Sequence, residues 1–363
     1  MKTLHLIKKK QIILIKMRNY IVLGSFFGDE GKGQTVHNIC KDSPIDDTIV
    51  VRFSGGHQVG HTVRHGRLEH TFSNFGSGTL LGIPTYWTQF CTVDPITSMD
   101  ELQDLNKIGI TPEIYYHPLC QIVTPFDVYN QWNDEENRRH GTVGTGFKST
   151  LDRVKSGYSL TVMDCKNIMV LRSKIASLMA NYFNIESTYP MQNMDEWCFK
   201  VYNYFKSVHI CDDSILDGFV VRVFEGSQGI LLDQTFGVMP YCTPSNTTCK
   251  NAMSMVEERH TEHIYVIRPY ITRHGNGPLL TTTSVRLVKD RNNEYNEFQQ
   301  SLRAVEFDPQ LLQHSVRVDS QFFKLGHRHL AITHHDEMKE DFLDTLPRWF
   351  DSIHCYHYDY RVK

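Results

Sequence analysis

Short runs of apolar residues, each followed by a glycine or a polar loop, recur along the chain. Their brevity and β-branched content predict buried strands at residues 20–23, 48–53, 219–224, 263–267 and 329–333. Between these runs, residues 167–183 have the spacing of a helix, with an apolar face made of Ile168, Leu171, Ile175, Leu178 and Met179. Ser98 and Glu101 form a predicted capping box for a second helix, which runs to about Ile108. Alternating strands and helices predict an α/β fold with a largely parallel central sheet flanked by helices.

The composition argues against several classes of protein. Of the 363 residues, 40% are hydrophobic and 22% are charged, and the formal net charge of -3 gives no reason to expect a nucleic-acid or membrane partner. The sequence contains no run of about 20 apolar residues, the length that a helix needs to span a bilayer. The nine cysteines are scattered and contain no CxxC pair, which favours a reducing, cytoplasmic location over a disulfide framework or a zinc site.

The chain shows no internal repeat and no composition shift that would mark a domain boundary. We therefore expect residues 18–363 to form a single domain. Residues 1–17 resemble a signal peptide only superficially, because Lys8, Lys9 and Lys10 interrupt the apolar stretch and no small-residue cleavage site follows. With Met17 as an alternative start, we expect this segment to be a disordered extension.

The first motif that could carry chemistry, residues 24–33, directly follows the strand at residues 20–23 and ends in Gly28-Asp29-Glu30-Gly31-Lys32-Gly33. Its glycines allow a tight turn that brings backbone N–H groups against phosphate oxygens, and a helix beginning near Lys32 would point its positive end at the same anion. The spacing is not that of a Walker A loop. An acid among phosphates is useful if it holds Mg²⁺ or removes a proton; otherwise the segment is a glycine-rich turn with a solvated acidic pair.

The second motif, residues 52–62, contains two glycine turns and the histidines His57 and His61. A metal site with this spacing needs a helix to place both imidazoles on one face, and the flanking glycines argue against a helix. A loop that presents one histidine as an acid or an electrostatic group fits better. Either histidine alone is as compatible with a structural role as with a catalytic one.

The third motif, residues 224–233, follows another predicted strand and continues into the hydroxyl- and amide-rich segment 240–248. Such a cluster lines a polar pocket or binds phosphate; the alternative is a serine- and threonine-rich turn.

Together and in this order, the motifs resemble the signatures of the adenylosuccinate synthetase family: GDEGKG at 28–33, GGHxxGHT at 55–62, FEGxQGxLLD at 224–233 and PYxTxSNTT at 240–248. The resemblance runs from about residue 20 to residue 336. It implies the P-loop-like fold of that family and a ligase that joins L-aspartate to C6 of a 6-oxopurine monophosphate. A nucleoside triphosphate drives the reaction through a 6-phosphoryl intermediate, with Mg²⁺ as cofactor.

The resemblance also implies roles for single residues. Asp29 is the expected base and, with the backbone oxygen of Gly60, the expected Mg²⁺ ligand. His61 is expected to act as an acid or to stabilise charge on the transferred phosphate, and Lys32 to bind phosphate. Matching positions assign nucleotide binding to Gly28, Glu30, Gly31, Gly33, Gln58, Thr142, Gln228, Thr243 and Asp336.

Two segments depart from the family pattern. The arginine-rich aspartate loop is replaced by residues 296–303, in which Ser301 and Arg303 are the expected aspartate-binding residues. His334 stands where the guanine-reading lysine is expected, and the C-terminal STGP turn is missing, so that Asp336 alone is left to read guanine. ATP and dATP therefore stand beside GTP as candidate donors.

The resemblance is nearest to the compact archaeal and bacteriophage branch, some of whose phage members use dGMP and would act in the host cytoplasm. We expect dGMP, or both dGMP and IMP, as the monophosphate; the alternatives are a strict IMP-using, GTP-dependent enzyme and a non-catalytic nucleotide-binding switch. The family forms homodimers that share an arginine between subunits. Arg153 and Lys155 are the candidates for that role here.

Overall fold

The computed structural model describes residues 17–135, 143–183, 191–281, 283–285 and 301–356. Its helices are α1 (Lys32–Lys41), α2 (Pro95–Lys107), α3 (Pro125–Asn133), α4 (Phe147–Lys155), α5 (Ile168–Asn181), α6 (Met191–Ser207), α7 (Lys250–Met253) and α8 (Pro309–Asp319). Its strands are β1 (Arg18–Gly24), β2 (Thr48–Arg52), β3 (His61–His65), β4 (Leu68–Phe72), β5 (Thr85–Trp87), β6 (Thr92–Val93), β7 (Ile114–Tyr116), β8 (Gln121–Ile122), β9 (His209–Ile210), β10 (Val221–Glu225), β11 (Thr261–Ile267), β12 (Tyr270–Arg273), β13 (Arg303–Glu306), β14 (His327–Ile332) and β15 (Ser352–Cys355). No helix in the described ranges is long and apolar enough to cross a membrane. Of the extension predicted for residues 1–17, only Met17 falls within these ranges.

Nine strands form one sheet in the order β15-β14-β11-β1-β10-β2-β5-β7-β9, and every neighbouring pair is parallel. Val22 of the central strand β1 is in register with Glu225 of β10 on one side and with Ile264 of β11 on the other. β2 and β10 are buried along their whole length, which explains why their sequences are largely apolar rather than alternating. The predicted parallel sheet is confirmed, and the five predicted strands are β1, β2, β10, β11 and β14.

The helix predicted at residues 167–183 is α5. The Asn167 side chain caps it by accepting hydrogen bonds from the N–H groups of Met169 and Val170. The predicted apolar face packs inward, with Leu171, Ile175, Leu178 and Met179 fully buried.

The capping box predicted for α2 is wrong. Asp94 caps this helix, since its Oδ1 accepts from the N–H of Ile96 at 2.9 Å, and Ser98 lies inside the first turn. Glu101 instead accepts from the N–H groups of Ser73 and Asn74 in a neighbouring loop. A glutamate three residues after a serine looks the same in sequence whether it caps its own helix or bonds a distant loop. The sequence pattern therefore could not distinguish the two.

The order of the strands explains how the three motifs come together. β1, β10 and β2 are neighbours in the sheet, and each motif begins at the carboxyl end of one of them. Because the strands are parallel, these ends share one edge, where ligands of open α/β sheets bind. Two antiparallel pairs, β3–β4 and β12–β13, flank that edge and carry further residues toward it.

Candidate active site

A cavity of about 770 Å³ opens at this edge of the sheet. Ten of the residues expected to bind substrate or metal line it: Gly28, Asp29, Gly31, Lys32, Gly33, Gln58, Gly60, His61, Gln228 and Thr243. They come from all three motifs. The structure therefore places in one cavity what the sequence places up to 215 residues apart, from Gly28 to Thr243.

The loop between β1 and α1 is held in shape by Glu30, which is 2% exposed. Its Oε1 accepts from the N–H groups of Phe26 and Gly28 at 3.0 and 2.8 Å, and its Oε2 lies 2.9 Å from Lys32 Nζ. The Glu30 carboxylate is therefore turned away from the cavity and organises the loop, so its side chain does not serve the nucleotide-binding role that the resemblance implies for this residue. Within the described part of the chain, no side chain caps the start of α1, where Gly31 has a φ of 91°, so this helix end is open to an anion.

Three consecutive carbonyl groups of this loop are each bound by a side chain from elsewhere in the fold. Thr272 Oγ1 donates to the Gly28 oxygen at 3.1 Å, and Thr333 Oγ1 donates to the Glu30 oxygen at 2.7 Å. Between them, Arg268 Nε donates to the Asp29 oxygen. With its carbonyls fixed from behind, the loop keeps one shape and places the Asp29 side chain at the cavity.

Asp29 has a left-handed backbone (φ 61°), an unfavourable conformation for a residue other than glycine, which tends to occur at functional sites. Its side chain is one-third exposed, and its Oδ2 lies 2.8 Å from Nε2 of His274, which follows β12. Burial opposes ionisation of this carboxyl, but the His274 hydrogen bond and the charges of His274, Arg268 and Lys32 lower its pKa to about 2. Asp29 is therefore a carboxylate at neutral pH, as a base requires.

His61 and Glu225 form a buried pair. His61 Nδ1 lies 2.7 Å from Glu225 Oε1, and Glu225 also accepts from the N–H and the hydroxyl of Ser77. Burial opposes ionisation of Glu225, but His61, Arg52 and Ser77 lower its pKa to about 2. A carboxylate at Nδ1 fixes the imidazole so that the other ring nitrogen, Nε2, serves the cavity.

Several buried polar atoms at the cavity have no hydrogen-bond partner among the described residues: His61 Nε2, both amide atoms of Gln58, Gln228 Oε1 and Thr145 Oγ1. Unpaired buried polar groups are costly, so a ligand or water is expected to satisfy them. The charged lining is mostly cationic, with Lys32, Arg64, Lys148, Lys155, Arg268 and Arg273 against Asp29 and Asp152. Anionic ligands with many polar groups suit such a lining.

His57 differs from His61 in its surroundings. It is buried but does not line the cavity, and its Nε2 lies 3.7 Å from the carboxylate of Asp94. Of the two histidines left open by the sequence, the geometry therefore favours His61 for chemistry and gives His57 a structural role.

Three other expected residues, Asp336, Ser301 and Arg303, do not line the cavity. Thr142 is outside the described residues. Asp336 is exposed, in the turn His335–Glu337 beyond β14, and Ser301 is exposed before β13. Arg303 Nη2 donates to the carbonyls of Gly275 and Gly277 at 2.5 and 2.7 Å, so it holds the loop that carries His274 and does not reach the cavity.

One candidate for the arginine shared between subunits is contradicted by its contacts. Arg153 is fully buried, where it pairs with Asp127 and donates to the carbonyls of Ile122 and Tyr158. Lys155, the other candidate, lines the cavity.

Sequence reasoning missed the partners of the two expected catalytic residues. The sequence does contain a signal for Glu225. It is an acidic residue at the end of a strand that is buried along its whole length, where an acid needs a partner. His274 and Arg268 have none, because their approach to Asp29 depends on where β11 and β12 place them.

Comparison with known proteins agrees with this site. A family model described as adenylosuccinate synthetase matches residues 21–346. The adenylosuccinate synthetase of Thermodesulfovibrio yellowstonii is 28% identical over 357 residues, covering 92% of this chain and 79% of that protein. The fully ligated adenylosuccinate synthetase of Plasmodium falciparum has a similar fold, with a TM-score of 0.72, 19% identity and coverage of 87% of this chain and 77% of that one.

A second solved structure with this fold is the succinoaminodeoxyadenylate synthetase of cyanophage S-2L, bound to dGMP and to dATP as energy donor. Its TM-score is 0.66 at 14% identity, and the match covers 94% of this chain and 92% of that one. Because the family model spans most of the residues and the three motifs meet in one cavity, the chain belongs to the adenylosuccinate synthetase family of carbon–nitrogen ligases.

Proposed function

We propose that this protein joins L-aspartate to C6 of a 6-oxopurine monophosphate, dGMP, IMP or both, while a nucleoside triphosphate becomes the diphosphate and phosphate. The observation that carries the proposal is the pairing of Asp29 with His274 and of His61 with Glu225 in one cationic cavity. A non-catalytic nucleotide-binding switch would need neither pair.

The proposed reaction has two steps. The free oxygen of Asp29 takes the proton from N1 of the purine, and O6 attacks the γ-phosphorus, so an O6–P bond forms as the bond to the diphosphate breaks. The amino group of aspartate then attacks C6, the C6–O bond breaks, and the departing phosphate takes up the proton that the amine loses. Lys32 and the open N-terminus of α1 hold phosphate oxygens, and His61 stabilises the charge that moves between them.

The oxygen ligands at the cavity fit Mg²⁺. Beyond the contact with His274, the Asp29 carboxylate keeps lone pairs on both oxygens, enough to bind an ion as well as to take a proton. Gly60 lines the cavity at an exposed backbone position. Mg²⁺ prefers such oxygen ligands together with water and substrate phosphates. When bound, the ion would neutralise charge on the β- and γ-phosphates.

The extent of the two structural matches supports the compact branch of the family. The match covers 92% of the phage enzyme but 77% of the Plasmodium enzyme. The phage enzyme was solved with dGMP, which supports dGMP use here, alone or beside IMP. Strict use of IMP is the alternative. The carboxylate of Asp29 favours this alternative, because the compact dGMP-using members are expected to have a smaller residue at that position.

The surroundings of Asp336 support a broad choice of donor. His334 replaces the expected lysine, is 2% exposed, and its Nδ1 lies 3.1 Å from Thr333 Oγ1. Burial and the nearby charge of Arg268 lower its pKa to about 2, so it adds no positive charge there. We propose ATP or dATP as donors comparable with GTP, in line with the dATP of the phage structure.

For aspartate we retain Ser301 and Arg303 as proposed ligands, since Arg303 could exchange its two carbonyl partners for a carboxylate. A homodimer, with Lys155 at the shared site, is also proposed.

A substrate matrix tests the proposal. IMP, GMP and dGMP are each combined with GTP, ATP and dATP in the presence of aspartate and Mg²⁺, and both phosphate release and the mass of the succinylated product are measured. We expect product from dGMP, and turnover with dATP or ATP. Phosphate release without a succinylated product would contradict ligase activity, and product from IMP with GTP alone would establish the alternative.

A further inference from the structure

Three side chains of metal-binding type meet in the interior, away from the cavity. Cys249 directly precedes α7, His263 lies in β11, and Asp319 ends α8. All three are fully buried, and the thiol sulfur, one ring nitrogen and one carboxylate oxygen all lie within 4.8 Å of one another. The spacing of 249, 263 and 319 matches no zinc motif, which is why the sequence alone argued against such a site.

The histidine of this cluster has unmet bonding capacity. Neither ring nitrogen of His263 has a hydrogen-bond partner among the described residues, although the side chain is 0% exposed. Its ring stacks on Phe323 with centroids 3.6 Å apart and planes 13° apart, so its orientation is fixed. A buried imidazole without a partner is costly, and a bound ion would use its lone pair.

The carboxylate of the cluster is oriented by its neighbours. Asp319 Oδ1 accepts from the N–H of Cys249 at 2.6 Å, and Oδ2 accepts from the hydroxyl of Tyr265 at 2.7 Å. Each oxygen keeps a second lone pair. Carboxylates that bind metals are commonly held by hydrogen bonds of this kind, which fix the direction of the remaining lone pairs. Tyr265 is two residues from His263 in β11, so both point to the same face of the sheet.

We propose that Cys249, His263 and Asp319 bind one Zn²⁺ ion at a site separate from the active site. Sulfur and imidazole ligands select zinc over magnesium. Bonds of about 2.0–2.3 Å require ligand atoms roughly 3.5 Å apart, which a small inward movement achieves, and water takes the fourth position. The thiolate and carboxylate neutralise the dication. The ion would tie α7 and α8 to β11, beside the central strand β1.

Cobalt binding tests the site. Full-length protein is treated with a chelator and titrated with Co²⁺, which gives a thiolate charge-transfer band only when a cysteine sulfur is bound. We expect one equivalent to produce the band, Zn²⁺ to abolish it and excess Mg²⁺ to leave it unchanged. Cys249→Ser should remove the band and weaken Zn²⁺ binding by at least about 100-fold. Cys165→Ser, which changes an equally buried thiol in another part of the core, should retain it.

Each result decides the proposal without reference to ligase activity. Wild-type protein that shows no thiolate band and holds no zinc by elemental analysis overturns it, even if Cys249→Ser fails to fold. A band that survives in Cys249→Ser places the metal elsewhere and overturns it as well. His263→Gln is close in size to the wild-type side chain and should leave the protein folded. It should weaken Co²⁺ binding, so that the thiolate band appears only at higher Co²⁺ concentration.

Discussion

Replacing Glu225 by glutamine tests whether its charge acts through His61. The exchange preserves size and removes one negative charge 2.7 Å from His61 Nδ1. Two unit charges about 4 Å apart at an effective dielectric constant of about 20 interact by roughly 4 kcal/mol. If His61 becomes positive as charge moves between the phosphates, losing much of that interaction lowers kcat by about 10²–10³-fold. The Michaelis constants should change little, since the loss falls on the transition state.

The same carboxylate makes stability depend on pH. The pKa of Glu225 is lowered from 4.5 to about 2, because the favourable effects of His61, Arg52 and Ser77 outweigh its burial. A lowered pKa means that the stabilisation is complete above the unfolded value and is lost as pH falls toward 2. The difference corresponds to about 3 kcal/mol. Urea unfolding between about pH 6 and 3 should therefore show a steeper loss of stability in the wild type than in Glu225→Gln.

Glu101→Gln is the matched control. Glu101 is also a buried carboxylate that accepts backbone N–H groups. Unlike Glu225, which bonds the cavity residue His61, Glu101 bonds Ser73, Asn74 and His70, and none of these three lines the cavity. The Glu101→Gln variant should be less stable than the wild type and should have an unchanged kcat. A Glu225→Gln enzyme with wild-type kcat, or with the same kcat loss as Glu101→Gln, would refute the assigned role of Glu225.

Three further predictions concern the substrates. Asp29→Asn should reduce turnover by more than the ~10²–10⁴-fold typical of a lost base, with nucleotide binding retained by calorimetry; near-normal rates would remove Asp29 from the mechanism. Arg303→Leu should raise the Michaelis constant for aspartate and leave that for the monophosphate nearly unchanged, and an unaltered aspartate dependence would limit Arg303 to holding Gly275 and Gly277. ATP or dATP should support kcat/KM within about tenfold of GTP, a gap of ~1.4 kcal/mol or less, whereas a GTP preference of several hundredfold would show that Asp336 belongs to a complete guanine pocket.

The sheet could be predicted because its strands are buried on both faces and so read as short apolar runs. β1, β2, β10, β11 and β14 all have that signature. The short outer strands do not, since β7 and β9 have three and two residues and take their conformation from the strand beside them. Their sequences alone could not have placed them in the sheet.

Only those parts of the active-site cavity that continuous segments of the chain form could be predicted from the sequence. Two loops are continuous in sequence and could be recognised as motifs: the loop with Asp29 and Lys32, and the loop with His61. The partners of these residues come from distant strands, as His274 and Glu225 do. Glu30 shows the opposite limit: its place in a phosphate loop indicated nucleotide contact, but its carboxylate is used up inside the loop.

The position of β1 at the centre of the sheet constrains how the protein is made. β1 is the first strand described, but its neighbours β10 and β11 follow roughly 200 and 240 residues later. At a synthesis rate of about 5–20 residues per second, β1 waits on the order of 10–40 s on the ribosome before either neighbour exists. During that time both of its edges can pair with other chains. The phosphate loop that follows β1 is thus translated well before the two strands that flank β1 and complete its surroundings.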